Sequence, residues 1–71
     1  MDFGAALAAL KEGHHVARSG WNGAGMWLEL QIPDERSKMR RPYIYMSPVD
    51  SQFVPWVASQ TDLLAEDWYV A

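Results

Sequence analysis

The chain contains no cysteine, and its only two histidines, His14 and His15, are adjacent. Disulfides and thiolate metal sites are therefore excluded, and a reducing compartment such as the cytoplasm suits the composition. Neighbouring side chains on a strand point to opposite faces, so the two histidines make a poor chelating pair. We expect no metal and no cofactor. Association of several copies is then the remaining usual means of stabilising a domain of 71 residues.

The chain also lacks long apolar runs and an excess of positive charge. No apolar segment approaches the roughly 20 residues that span a bilayer, and the N-terminus lacks the pattern of a signal peptide, so no membrane association is expected. The net charge of −3 argues against a duplex nucleic-acid binder. Four of the six basic residues nevertheless lie close together, at Arg36, Lys38, Arg40 and Arg41. This run is either a solvated loop or a rim that attracts phosphate groups.

The N-terminal segment has the apolar period of a helix. Phe3, Leu7 and Leu10 fall on one face over residues 3–12, and Asp2 is a suitable N-cap. Gly13 is predicted to end the helix in the left-handed conformation.

The rest of the chain is predicted to form short antiparallel strands. Segments 15–18, 26–32, 43–46 and 68–71 are predicted strands, whereas Pro55 demotes segment 53–57 to an edge strand or a turn. Ser59 and Asp62 have the spacing of a capping box, ahead of one helical turn at 63–65. The predicted fold is therefore a single α+β domain over residues 1–71, with an N-terminal helix on a small antiparallel sheet and a short helical turn near the C-terminus.

The segment RSGWNGAGM is rich in glycine, but its spacing excludes two familiar phosphate loops. Gly20, Gly23 and Gly25 match neither the dinucleotide-binding fingerprint nor a Walker loop, and a strand follows rather than a helix. The segment is better explained as a turn, in which Asn22 and Gly23 favour positive φ.

The aromatic residues are the most informative class. A core this small does not comfortably enclose four tryptophans, Trp21, Trp27, Trp56 and Trp68. Trp21, inside the glycine-rich turn, is either a platform on which a nucleobase stacks or a lid folded back on the core. Trp27 lies opposite the apolar face of its strand, and a second subunit is the expected cover. Trp68 is expected to be structural.

Catalytic chemistry finds little support in the sequence. No serine lies in a Gly-x-Ser-x-Gly elbow, and a histidine acid or base would need a partner that only the fold can place. The segment WVASQTD is more suggestive of binding. Helix capping accounts for Ser59 and Asp62 but leaves Gln60 and Thr61 unexplained. The side chains of Gln60 and Asp62 could bond to an adenine edge or ribose hydroxyls.

Three segments, DFGAALAALKEG, VARSGWNGAGM and VPWVASQTDLLAEDW, together resemble the small phage and bacterial proteins of the Thoeris anti-defense family, second type. The family pattern is an FGxAL helix, a GWNGxxM turn and a PWxxSQxDxxAxDW ending. Residues 33–52 match it poorly. The resemblance implies a homotetrameric sponge that acts in the cytoplasm of an infected bacterial cell. Such a sponge sequesters glycocyclic ADP-ribose made by TIR-domain proteins, in pockets between subunits and without cleaving it. Some members also bind cyclic di- or trinucleotides in a separate pocket.

The resemblance also suggests where a ligand would bind. The turn motif matches Trp21, Asn22, Gly23 and Met26, and the C-terminal motif matches Trp56, Ser59, Gln60, Thr61 and Asp62. In our own assignment of roles, Trp21 stacks on adenine, Asn22 and Gln60 bond to base or ribose, and Asp62 accepts from ribose hydroxyls. Arg18 or the loop arginines would meet the pyrophosphate. Two other hypotheses remain open, an enzyme that degrades the same signal and a small protein-interaction module.

Overall fold

The computed structural model describes residues 1–71 and confirms the α+β fold. In chain order the elements are α1 (Phe3–Lys11), β1 (Val16–Arg18), β2 (Trp27–Gln31), β3 (Tyr43–Ser47), β4 (Val54–Pro55), α2 (Gln60–Leu64) and β5 (Trp68–Val70). The five strands form one antiparallel sheet in the order β4-β3-β2-β1-β5. No helix is both long and apolar enough to cross a membrane.

Helix α1 begins and ends where its sequence predicts. The Asp2 carboxylate accepts a hydrogen bond from the Ala5 N–H at 2.9 Å, which satisfies one of the unpaired donors of the first turn. Gly13 has a φ of 94°, and the His14 N–H donates to the Ala9 carbonyl at 3.0 Å. This is the left-handed termination that the glycine predicts.

The core lies between α1 and one face of the sheet, here called the inner face. Cross-strand pairing places Val16 opposite Leu28 and Leu28 opposite Met46, so these side chains share the inner face. Leu10, Val16, Leu28 and Trp68 are the largest fully buried side chains. The core is thus built from the predicted apolar positions of α1 and the strands. The opposite face, here called the outer face, carries Trp27 and the side chains that alternate with the core residues.

Two local predictions need correction. Asn22 and Gly23 do not adopt positive φ, because the turn uses Gly25 for that purpose, with a φ of 78°. Gly23 has a packing role instead, since a Cβ there would collide with the side chains of Val49 and Met26. Helix α2 begins at Gln60, three residues before the predicted helical turn, because the capping box of Ser59 and Asp62 starts it there.

Candidate functional site

The turn motif and the C-terminal motif meet at one end of the inner face. Arg18, the last residue of β1, donates from its Nη1 to Asp62 Oδ1 and from its Nε to Asp67 Oδ1, each at 2.8 Å. The indole Nε1 of Trp21 donates to the same Asp62 oxygen at 3.1 Å. We call these four residues, Arg18, Trp21, Asp62 and Asp67, the Arg18 junction.

The backbone explains why these side chains converge. Arg18 pairs directly with Trp68 across β1 and β5, which brings the guanidinium next to Asp67. Asp62 is the third residue of α2, where its Oδ2 accepts from the Ser59 N–H at 3.4 Å and completes the capping box. Its other oxygen therefore remains available to Arg18 and Trp21. A single carboxylate thus both caps α2 and fastens α2 to the turn.

Asp67 fixes the entry of the glycine-rich turn. Its carboxylate accepts from the Gly20 N–H at 2.7 Å, and its backbone carbonyl accepts from the Ser19 N–H at 3.2 Å. A Cβ on Gly20 would approach Asp67 Oδ2 to 2.8 Å and the Arg18 guanidinium to 3.2 Å. A side chain at position 20 would therefore force the Asp67 carboxylate to shift and disturb its contact with Arg18, a role of Gly20 that the sequence did not suggest.

The charges of the Arg18 junction satisfy one another. The hydrogen bond from Arg18 lowers the pKa of the Asp67 carboxyl. Burial raises the pKa of Asp62, but hydrogen bonds from Arg18, Trp21 and Ser59 together hold that pKa below its ordinary value of 3.8. The same two carboxylates raise the pKa of Arg18, with the Asp67 hydrogen bond the largest cause. Both carboxylates engage the one guanidinium, so an anionic ligand group would reach Arg18 only by displacing a carboxylate.

Trp21 is folded back on the core rather than left open. Its ring meets the ring of Trp68 edge-on, with centroids 5.4 Å apart and an interplanar angle of 80°. Trp56 contacts Trp68 in the same manner at 6.0 Å, and Trp68 itself is buried, with its Nε1 donating to the Asp62 carbonyl at 3.0 Å. In this structure Trp21 is therefore a lid, and its stacking on a nucleobase stays a prediction.

The remaining predicted ligand residues lie on the same two motif segments as Trp21 and Asp62. Asn22, Ser59, Gln60 and Thr61 are exposed, whereas Gly23, Met26 and Trp56 are half-buried. The Trp21–Asp62 hydrogen bond brings the turn beside the first turn of α2, so the exposed polar residues flank one contact. The structure thus brings the two motif segments together but leaves their contact with a ligand as a prediction.

A second cluster occupies the outer face of the sheet. The rings of Trp27 and His15 are stacked, with centroids 3.9 Å apart and planes inclined by 3°. His15 Nε2 lies 2.7 Å from Glu29 Oε1, and the Tyr45 hydroxyl donates to the other oxygen of Glu29. Phe53 adds an edge-on contact to Trp27 at 5.8 Å. We call these five residues the aromatic cluster. The sequence predicted that a second subunit would cover Trp27. In the structure, side chains of its own chain already leave Trp27 half-buried.

In the aromatic cluster, the pKa values of the Glu29 carboxyl and the Tyr45 phenol are both shifted. The hydrogen bond from Tyr45, followed by that from His15, lowers the pKa of Glu29. Burial, together with the hydrogen bond to Glu29, raises the pKa of Tyr45 to about 12. Tyr45 therefore stays protonated and Glu29 ionised over the physiological range. His15 and Glu29 are the partnered histidine and carboxylate that an acid–base site would need, although no nucleophile joins them.

An open cavity of about 270 Å³ adjoins the aromatic cluster, at the β3–β4 edge of the sheet. Its lining is mainly apolar and aromatic and consists of Gln31, Met39, Tyr43, Tyr45, Phe53, Val54 and Pro55. The basic run Arg36–Arg41 is exposed and forms no ion pair. Sequence reasoning did not identify this cavity or the role of Asp67. The sequence held one signal for each. Tyr43 and Tyr45 alternate onto the outward side of their strand, beside the cavity, and Asp67 lies directly before the last strand.

No three metal-ligating side chains group together in the chain.

Comparison with known proteins identifies the family of this chain. A family model described as the Thoeris anti-defense 2-like domain matches residues 1–71. A curated relative, "Thoeris anti-defense 2" from Bacillus phage SP01, is 41% identical over 81 aligned positions, which cover 96% of this chain and 91% of the relative. Both matches extend over both motif segments and the region between them. The chain therefore belongs to the Thoeris anti-defense 2 family.

Proposed function

We propose that this anti-defense protein is a sponge that binds a cyclic ADP-ribose-type immune signal and holds it without cleaving it. The observation that carries the proposal is the junction of the two motif segments. The GWNG turn and the SQTD start of α2 match the family pattern, are separated by 35 residues in sequence, and meet through the Trp21–Asp62 hydrogen bond. Sequence motifs that converge on one contact are expected of a shared binding site.

The chemistry of the junction favours neutral parts of a nucleotide. Asn22, Gln60 and Thr61 offer amide and hydroxyl groups that suit base edges and ribose hydroxyls. Arg18 is fully engaged by Asp62 and Asp67, so it would meet a pyrophosphate only by exchanging a carboxylate for a phosphate oxygen. The base and ribose therefore make the first contacts in the proposal, and Trp21 supplies the stacking surface by swinging away from Trp68.

The proposal assigns no catalytic step to the junction. Both junction carboxylates have lowered pKa values, so neither is a proton donor near neutral pH. The outer-face pair of His15 and Glu29 is the one arrangement that suits a base, and the signal-degrading alternative would depend on it. Measuring whether the bound signal remains intact separates these two functions.

A sponge also needs tight binding and an adequate enclosure. To keep a signal below the threshold of its receptor, the dissociation constant should be about nanomolar, which corresponds to about −12 kcal/mol. One chain of 71 residues encloses a dinucleotide-sized ligand with difficulty, whereas a pocket shared between copies can do so. The proposal therefore includes a homo-oligomer, expected to be a tetramer, in the cytoplasm of the infected cell. Cyclic di- and trinucleotides are secondary candidates as ligands.

Titration calorimetry with cyclic ADP-ribose isomers, followed by cyclic dinucleotides, tests the proposal. The wild-type protein should bind one class with a dissociation constant near the nanomolar range. Trp21→Ala should weaken binding by roughly 1–3 kcal/mol if the ring stacks on a base. Lys11→Ala, at the exposed end of α1, is the control and should bind as the wild type does. Equal loss in both variants would contradict the placement of the site, and no binding of any isomer would contradict the proposed function.

A further inference from the structure

The two halves of the glycine-rich turn are held in different ways. The entry half, residues 19–21, is fixed by hydrogen bonds to the carboxylates of Asp62 and Asp67. The exit half, residues 22–26, forms no hydrogen bond with another segment of the chain. The shape of the exit half therefore depends on how its residues pack.

The packing over Gly23 comes partly from outside the turn. A Cβ added to Gly23 would lie 2.4 Å from Cγ2 of Val49 and 2.5 Å from Sδ of Met26, so these two side chains fill the space that a side chain at position 23 would need. Met26 belongs to the turn itself, whereas Val49 lies in the loop between β3 and β4. Val49 thus connects the exit half of the turn to a distant part of the chain by close contact with its backbone.

The β3–β4 loop places Val49 at this position. Ser47 pairs with Trp27, so the loop leaves β3 at the end of the sheet where the glycine-rich turn enters β2. The Ser51 N–H donates to the Pro48 carbonyl at 3.0 Å, which closes a turn with Val49 at its second position. Ser51 has a φ of 60°, a left-handed conformation that residues other than glycine rarely adopt. The loop keeps this conformation because the surrounding structure determines it.

Val49 contributes little to the core. Its side chain is 69% exposed, and it does not belong to the buried cluster or to the side chains packed against that cluster. Substitutions at exposed positions of this kind usually have small effects on stability. The contact of Val49 with Gly23 therefore acts mainly on the shape of the turn.

We propose that Val49 is a positioning residue for the signal-binding site. By filling the space over Gly23, it holds the exit half of the turn so that Asn22 and Met26, two of the predicted ligand residues, meet the ligand in a fixed arrangement. A segment that already has its bound shape loses less free energy to ordering, so the contact raises affinity without touching the ligand. This inference rests on the proposed function. It gives a share in binding to residues 33–52, the segment that matches the family pattern poorly.

Titration calorimetry with cyclic ADP-ribose isomers tests the role of Val49 against matched variants. Val49→Ala removes both methyl groups and should weaken binding by roughly fivefold or more, because the turn must then be ordered by the ligand. Its urea denaturation midpoint and its sedimentation coefficient should remain those of the wild type. Val49→Thr keeps the branched shape and should bind as the wild type does. Val70→Ala shortens another exposed valine, at the far end of β5, and should also leave the affinity unchanged.

A double-mutant cycle tests the contact between Val49 and Gly23 itself. Gly23→Ala puts a Cβ into the space that Val49 fills and should weaken binding, whereas Gly23→Ala/Val49→Ala vacates the part of that space that Val49 occupied. The double variant should therefore bind more tightly than the product of the two single losses predicts.

The outcomes separate this inference from the proposed function. If the wild type binds no isomer, the proposed function and the role of Val49 both fail. If the wild type binds and Val49→Ala binds equally well, only the role of Val49 is overturned. Independent losses in the cycle would overturn it too, as would a Val49→Ala variant that loses stability or assembly together with affinity.

Discussion

The Arg18 junction and the aromatic cluster lie on opposite faces of one sheet and are held together by different forces. At the junction, one guanidinium and two carboxylates engage each other, and the tryptophans pack edge-on against the buried Trp68. On the outer face, aromatic rings pack against one another around Glu29, and only Tyr45 and His15 form hydrogen bonds with its carboxylate. The junction therefore holds distant segments of the chain together, whereas the aromatic cluster is a surface that retains contact with solvent.

This difference separates structural from functional consequences of mutation. Substitutions at the residues that hold the junction together should lower the stability of the fold first and ligand binding second. Substitutions at the exposed polar residues of the two motif segments should weaken ligand binding and leave stability almost unchanged.

The largest loss of stability should come from substitution of Trp68, against which the tryptophans of the junction region pack. Trp68 is 2% exposed and contacts Phe3, Trp21 and Trp56. Trp68→Ala is expected to lower the free energy of unfolding by about 3–5 kcal/mol, because a large cavity forms in the core. Urea denaturation measures this change. Trp27→Ala on the half-covered outer face is the comparison and should lose clearly less, so equal losses would contradict the distinction between the two regions.

The next effect concerns the carboxylate that links α2 to the turn. Asp62→Asn keeps the shape but removes the charge that Arg18 and Trp21 meet, and it is expected to lower the free energy of unfolding by about 1.5–3 kcal/mol at pH 7. Because the pKa of Asp62 is lowered in the folded state, its contribution is present above 3.8 and is lost as the pH falls through the folded value. The difference between wild type and variant should shrink when melts are repeated at progressively lower pH. A constant difference would argue against an ionised Asp62.

The outer face should respond to alkali instead. The pKa of Tyr45 is about 12 in the folded protein against an ordinary value of 10.0, so the neutral phenol stabilises the fold below 10. This stabilisation should be lost as the pH rises from 10 to 12. Tyr45→Phe removes the titrating group and should flatten that part of the stability profile in thermal melts. Tyr69→Phe, which alters an exposed tyrosine on the last strand, should leave the alkaline loss in place.

The smallest effect on folding is expected at the exposed polar residues. Gln60→Ala and Asn22→Ala should change the free energy of unfolding by at most about 0.5 kcal/mol, because neither side chain is buried. Ser59→Ala, which removes the N-cap of α2, is the structural comparison and should lose about 1 kcal/mol. If calorimetry shows that Gln60→Ala binds the signal as tightly as the wild type, Gln60 is not a ligand contact.

Local features of this fold were predictable because they depend on nearby residues. Asp2 and Gly13 bound α1, and Ser59 with Asp62 starts α2, through contacts within a few positions. The junction was not predictable in detail, because Arg18 pairs with residues 44 and 49 positions away in the chain. The prediction for Asn22 and Gly23 was wrong because the turn takes its positive φ at Gly25, while Gly23 instead allows the close approach of Val49.

The candidate site was partly predictable for a related reason. The motif residues Trp21 and Asp62 were identified from sequence, and the fold joins them by one hydrogen bond. The partner of Arg18 at position 67 and the cavity beside Phe53 depend on how β5 and the β3–β4 loop are placed. No local pattern determines that placement, since it follows from long-range pairing across the sheet.

The central claim is that the protein holds its signal intact, and recovery of the signal tests it most directly. A cyclic ADP-ribose isomer is mixed with excess protein, the free fraction is removed by filtration, and the protein is then denatured and the released nucleotide separated by chromatography. The free signal should be depleted, and the unaltered cyclic molecule should be fully recovered after denaturation. Release of a linear or hydrolysed product from the wild type would contradict the sponge, and loss of that product in His15→Ala would place the chemistry on the outer face.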